Sequence, residues 1–274
     1  MSYLDLMLSY LLSLTPYPLP LFPMRNIKLT IEYDGTNFNG WQIQGQGHRT
    51  VQGDIETALQ KIFKKKIRLI GSGRTDSGVH ALGQVANFTI ASKMPTGEII
   101  KALNGNLAED VVVLDAKEVP VPFHAQYNAK RKTYRYTILN RKATCAQQRN
   151  FCLYFPYKLN LTAMRQEAKS LVGKKDFRSF MASDAKKRLK IAEKDTVRTI
   201  YRLDIKKKKD LLLIEIEANG FLYKMVRNIV GTLLDIGTGK LPPGSLKEIL
   251  SQRNRQFAAD TAPAKGLCLI DVKY

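Results

Sequence analysis

Gly71-Ser72-Gly73-Arg74-Thr75-Asp76-Ser77-Gly78-Val79-His80-Ala81 lies between two strand-like runs, residues 67–70 and 84–90. Three glycines in the eight positions from 71 to 78 mark a tight loop, because glycine alone enters left-handed backbone without steric cost. The loop holds one cation, Arg74, and one carboxylate, Asp76. In an extended segment a spacing of two puts both side chains on one face. An arginine there holds a carboxylate ionised and aimed, which suits a nucleophile better than an acid. A structural turn closed by a surface ion pair has the same local chemistry. The G-x-x-x-x-G-K-[ST] pattern is absent, and no glycine-rich turn opens a helix directly after a strand, so a nucleotide phosphate loop is excluded.

On the N-terminal side, residues 27–33 alternate apolar and polar as a half-buried strand, and the loop Asp34-Gly35-Thr36-Asn37-Phe38-Asn39-Gly40-Trp41-Gln42 follows. Thr50 then caps a helix with Val51, Ile55, Leu59 and Ile62 on its apolar face. Lys61, Lys64, Lys65 and Lys66 at its end suit the negative end of the helix dipole and need no nucleic acid to explain them. On the C-terminal side, Thr96 starts a helix carrying Ile99, Ile100 and Leu103, Asn104-Gly105-Asn106 ends it, and residues 111–114 form a strand. A β-α-β-β-α-β order is that of a ferredoxin-like unit, also the scaffold of RNA-recognition motifs.

Val119-Pro120-Val121-Pro122 reads as a seam, giving an N-terminal α/β domain over 24–122 and a C-terminal one over 123–274. Beyond it, residues 130–139 form a strand with Tyr134 and Tyr136 on one face. Tyrosines interleaved with basic residues describe a base-stacking surface, or else a core-facing strand. A helix over 161–171 closes at Gly173, and 183–195 is a polar surface loop. Residues 197–205 and 211–218 read as a hairpin turning through Lys206-Lys207-Lys208-Lys209-Asp210, a solvated tip or an RNA contact. Asn219 to Gly231 passes from strand into a helix whose Met/Val/Ile/Leu stripe is core. A helix over 245–251 and a strand over 267–272 end the chain. Both halves thus carry a strand, a Gly-aromatic loop and an apolar helix, as expected of two α/β units sharing a sheet with a cleft between them.

Lys and Arg number 44 against 24 Asp and Glu, a formal charge of +20, which points to a polyanionic partner such as nucleic acid. Three cysteines without C-x-x-C spacing and three scattered histidines argue against a disulfide framework or a zinc site. A cofactor-free, metal-free enzyme of a reducing cytosol is the expectation. Residues 1–23 contain no Lys or Arg and place four prolines in their last eight positions. They fit neither a secretory signal nor a bilayer span, and read as a disordered extension or an upstream mis-start before Met24.

The stretch GSGRTDSGVHALGQVANF at 71–88 resembles the signature of the tRNA pseudouridine synthase A family. YDGTNFNGWQ at 33–42, the K-x-Y-x-Y strand at 132–136, NGFLYKMVRNIVG at 219–231 and TAPAKGL at 261–267 extend the resemblance over 24–274. It implies an α/β (α+β) pseudouridine synthase fold, two ferredoxin-like units sharing a largely antiparallel sheet with a central cleft. It also implies a cytoplasmic homodimer converting uridine to pseudouridine at positions 38, 39 and 40 of the tRNA anticodon stem-loop. By the same resemblance Asp76 is the catalytic residue, Arg74 and Arg227 support it, and Tyr134 lies against the target base. The chain departs from the family pattern at Gln126, where F-H-A-R has arginine, at Lys175, where histidine is usual, and at Cys268, where an aromatic is common. A non-catalytic RNA-binding protein or a related synthase acting on other RNA uridines would keep much of this pattern. A glycosidase-like hydrolase would need a second carboxylate across the pocket, and the sequence identifies none.

Overall fold

Apolar alternation in the first strand sets the sheet. In β1 (Met24–Tyr33) Ile27, Leu29, Ile31 and Tyr33 are buried, while the residues between them are only partly so, the period of two expected of a sheet with one packed face. The computed structural model describes residues 22–45, 47–182 and 195–274. The expected extension at 1–23 (but for its last two residues) and the surface loop at 183–195 (but for Asp195) lie outside the described residues.

Helix α1 (Val51–Phe63) follows β1, begun by Thr50, whose Oγ1 accepts from the Gly53 amide at 3.3 Å. Then come β2 (Ile70–Gly71), β3 (His80–Ala91), α2 (Thr96–Asn104) and β4 (Val111–Val119). The second half runs β5 (Arg131–Leu139), β6 (Leu153–Tyr154), α3 (Leu161–Ala168), β7 (Gly173–Asp176), β8 (Val197–Lys208), β9 (Leu211–Ala218), α4 (Met225–Thr238), α5 (Ser245–Gln252) and β10 (Leu267–Lys273). All ten strands join one sheet in the order β4-β1-β3-β10-β5-β9-β8-β7, with β2 on β3 and β6 on β5. The order β4-β1-β3-β2 is repeated as β10-β5-β9-β8, a fourth-first-third-second arrangement in each half.

The halves meet at one edge of β3. Ala86 and Asn87 pair there with β2, while His80 and Ala81 pair in parallel with Cys268 and Leu269 of β10. The glycine loop emerges at this changeover. The sequence places the outgoing strand at Gln84, but pairing with β1 and β10 extends it back to His80. The hairpin of the second half also differs from its sequence reading. Lys206, Lys207 and Lys208 stay in β8, opposite Leu213, Leu212 and Leu211, and only Lys209-Asp210 turn, with Lys209 at φ 53°. Lysines tolerate a solvated strand edge when the backbone ladder continues beneath them.

Helix α4 buries eleven of its fourteen residues. A side chain at Gly231 would run into the Asp260 carbonyl, so glycine lets the 260–262 segment lie directly on the helix. That segment becomes part of the site.

Candidate active site

Every turn of the loop between β2 and β3 is fastened from outside it. Ser72 N donates to the Val85 carbonyl at 2.7 Å, its Oγ to Gln84 Oε1 at 2.6 Å, and Gln84 Nε2 to the Gly73 carbonyl at 3.1 Å. Thr75 Oγ1 shares a buried 2.8 Å hydrogen bond with the Tyr33 hydroxyl at the end of β1. The Thr75 carbonyl accepts from Trp41 N at 3.1 Å, and the Phe38 carbonyl accepts from Ser77 Oγ and Gly78 N. Asp34 to Trp41 is therefore the loop's cradle. Gly40, at φ +85°, is needed there, since a Cβ would sit 2.6 Å from the Thr75 carbonyl. Trp41 is buried and lays its indole against Gly71, leaving no room for a side chain at that position. His80 closes the far end. Its Nδ1 accepts from Gly35 N at 3.0 Å, so Nε2 carries the proton it gives to the Asn150 carbonyl at 2.9 Å.

Inside this cradle the chain turns at Asp76, whose carbonyl accepts from Val79 N at 3.2 Å. Its carboxylate Oδ2 accepts from Arg227 at 2.8 Å, with the aspartate side chain 19% exposed and the arginine 13%. Oδ1 accepts no hydrogen bond from the described residues, and Asp76 lines the cleft. Arg227 lies in the first turn of α4 and is itself clamped. Its Nε donates to the Ala262 carbonyl at 2.7 Å, and its own carbonyl accepts from Ala262 N at 3.2 Å. The pair therefore bridges the two halves of the chain.

Arg74 does not take the place that the two-residue spacing gives it. Its side chain is exposed, and no ion pair among the described residues joins it to Asp76. The spacing argument assumes an extended backbone, whereas the loop turns at Asp76 and separates the two side chains. Both still line the cleft.

Strand β5 supplies the opposite wall. Tyr136, the second tyrosine of the strand, is wholly buried and donates its hydroxyl to the Pro263 carbonyl at 2.7 Å, so it belongs to the core. Tyr134 borders the cleft with its ring edge-on to Phe221, centroids 5.2 Å apart. Burial pushes the phenols of Tyr33 and Tyr134 up, so both stay protonated at neutral pH. Lys132, two residues before Tyr134 and on the same face, reaches across to donate to the Ser72 carbonyl at 2.6 Å. Burial pushes its ammonium down to about 8, with Arg198 adding repulsion. The cleft has a volume of about 1330 Å³; among the described residues Arg68, Arg74, Lys132, Lys224 and Arg227 line it, with Asp76 the one carboxylate. It is a cationic trough around one aimed acid.

A family model described as tRNA pseudouridine synthase matches residues 29–128 and 168–274. The chain belongs to the tRNA pseudouridine synthase family. It is 47% identical over 251 residues to tRNA pseudouridine synthase A of Thermoanaerobacter sp. (strain X514), covering 92% of this chain and 100% of the relative. The corresponding protein of Caldicellulosiruptor bescii is 45% identical at the same coverage. tRNA pseudouridine synthase A 1 of Bacillus cereus (strain ATCC 10987 / NRS 248) is 45% identical over 252 residues, covering 92% and 99%. The mixed α/β fold with its largely antiparallel sheet is the one expected from the family signature.

The structure brings Asp76, Arg227 and Tyr134 together as that signature implies for the family, and adds residues the sequence reading passed over. Lys132 had a usable signal, since a lysine two positions from Tyr134 on a strand must share its face. Tyr33 had none, because it completes the alternation of β1 and reads only as core. Of the departures from the family pattern, Gln126 lines the cleft, Lys175 sits in β7, and Cys268 pairs with β3 at the seam between the halves.

Proposed function

We propose that this chain isomerises uridine to pseudouridine in tRNA, at positions 38, 39 and 40 of the anticodon stem-loop, with Asp76 as the catalytic residue. One observation carries the reading: among the described residues a single carboxylate, gripped by Arg227, lies in a cleft whose Lys and Arg side chains are its other permanent charges. Isomerisation breaks the N1–C1′ bond, turns the base, and forms C5–C1′, while C5 gives up a proton and N1 gains one. Nothing is oxidised and no atom of water is incorporated. The protein must separate sugar from base, hold the detached base, and return it. Asp76 serves the first step, its Oδ1 directed at the nucleotide while Arg227 fixes Oδ2. Tyr134 and Phe221 give the base an aromatic wall, and a uridine must leave the helix to reach it. Arg74, exposed at the cleft, faces the RNA rather than the carboxylate.

The positions within tRNA and the working unit, a homodimer, rest on the family resemblance. A cytoplasmic setting rests on the same resemblance. Among the described residues no helix is long and apolar enough to cross a membrane. Incubation with an unmodified tRNA transcript, followed by a pseudouridine-specific chemical probe read by primer extension, tests the reading. New stops at 38–40 are expected. Unchanged uridines sink the activity, and stops elsewhere sink the positions alone. Sedimentation of the purified chain tests the dimer.

A further inference from the structure

At the same cleft, His124 and Tyr127 form a stacked pair with ring centroids 4.1 Å apart and planes 24° from parallel. Tyr127 is 79% exposed. A single exposed aromatic needs no explanation. This one is braced by buried polar groups. Asn26 and Asn87 lie beneath the turn, 1% and 2% exposed. Asn87 Nδ2 donates to Asn26 Oδ1 at 2.9 Å, Asn26 Nδ2 to the Phe123 carbonyl at 2.8 Å, and Ala125 N to Asn87 Oδ1 at 2.8 Å. The Tyr274 hydroxyl reaches the Ala125 carbonyl from the chain's last residue. On the outer side, His124 N donates to Asn128 Oδ1 at 2.7 Å, and His124 Nδ1 accepts from the amides of Gln126 and Tyr127. Burying two amides is costly unless every group is satisfied. Here their hydrogen bonds fix an exposed turn and the orientation of its two rings.

We propose that the His124–Tyr127 pair is a nucleobase platform, on which an unpaired base beside the target nucleotide of the substrate RNA stacks. This rests on the RNA-isomerase reading above. A base drawn out of a helix leaves a neighbour that has lost its stacking partner, and an aromatic face restores that contact without regard to base identity. Tyr127 offers such a face, already held by His124, so little side-chain freedom is lost on binding. The cations around the cleft favour a polyanion over a protein segment.

The test uses an unmodified tRNA transcript carrying 2-aminopurine in place of the loop base next to the target uridine. Binding to the wild-type chain should quench its fluorescence, and Tyr127→Ala should abolish the quenching. On plain transcript, Tyr127→Ala should raise KM roughly tenfold to hundredfold, the range of one base–aromatic stack, with kcat within about twofold of wild type. Tyr127→Phe, which keeps the face, should match wild type in both assays. Quenching that persists in Tyr127→Ala, an unchanged KM, or a Tyr127→Phe as impaired as Tyr127→Ala would overturn the platform. A Tyr127→Ala chain that sediments differently from wild type would assign the pair to contact between copies and also overturn it. If the wild type bound and quenched the probe yet made no pseudouridine, the isomerase reading would fail and the platform would stand.

Discussion

The second and third strands of each repeat are joined in two different ways. In the second half, β8 and β9 pair until Lys208 faces Leu211, and two residues, Lys209-Asp210, complete the hairpin. In the first half β2 is only two residues long, and residues 72–79 separate it from β3. The β8–β9 connection is held chiefly by its own ladder, with β5 and β7 on the outer sides of the two strands and the Asp210 carbonyl accepting from Asn140 N at 2.8 Å. The loop of the first half instead borrows partners from β1, from the 34–41 cradle, from β3, from β5 and from α4. A ladder that closes on itself presents only a solvated edge. A loop fastened from many directions can hold one carboxylate in a fixed orientation, which is the arrangement catalysis requires. The fold repeats, and the proposed chemistry sits where the repeat is broken.

Asp76 apart, the largest effect should come from removing the clamp of the second half on the loop. Arg227→Met leaves a partly buried carboxylate without its partner and free to swing, and kcat should fall about a hundredfold, the scale of a displacement near 1 Å, while tRNA affinity changes little. A rate within threefold or so of wild type would mean that the loop aims Asp76 without α4. Next is Lys132→Met, which unties the Ser72 carbonyl from β5; single-turnover rates should fall about tenfold. The same variant tests the lysine's burial. Held near 8 in the folded chain against an ordinary 10.5, Lys132 binds fewer protons folded than unfolded in that window. Its presence therefore makes unfolding free energy rise with pH between the two values. Urea denaturation at pH 8 and at pH 10 should show that rise in the wild type and a smaller one in Lys132→Met; equal slopes would mean the lysine is solvated.

Tyr33→Phe removes one pin and strands the Thr75 hydroxyl, costing about 1–3 kcal/mol of stability and a few-fold in rate, measurable by the same denaturation series. The smallest effect belongs to the other hairpin. Exchanging Lys206, Lys207, Lys208 and Lys209 for glutamine should leave kcat unchanged and weaken tRNA binding slightly, with the salt dependence shifted by about one phosphate contact or less. A large loss of activity there would erase the contrast between the two connections.

Much of this arrangement was legible in the sequence because it is local. The cap at Thr50, the alternation of β1 and the glycine loop with Asp76 are each decided by neighbours a few residues apart. The β-α-β-β-α-β order of the first half follows from them. The signature around Arg227 also pointed to a residue that the fold sets beside Asp76, although the two are 151 residues apart. The spacing argument for Arg74 did not survive, since it depended on a backbone shape that the turn at Asp76 changes. The Tyr33–Thr75 and Lys132–Ser72 contacts span 42 and 60 residues. They exist only because sheet register brings β1 and β5 to either side of one loop, and register is a property of the assembled sheet. The lysine hairpin was misjudged for a related reason, as charge suggested a loop where the ladder with β9 prolongs the strand.

The central claim is that Asp76 performs the chemistry and contributes little else. Asp76→Asn keeps the shape of the side chain and removes its charge and nucleophilicity. Purified Asp76→Asn should melt close to the wild type and bind unmodified tRNA with similar affinity, while its single-turnover rate of pseudouridine formation falls by several orders of magnitude, as loss of a covalent or charge-stabilising catalyst does. A folded Asp76→Asn that converts tRNA at even about a tenth of the wild-type rate, a loss of only about 1.4 kcal/mol, would contradict the account.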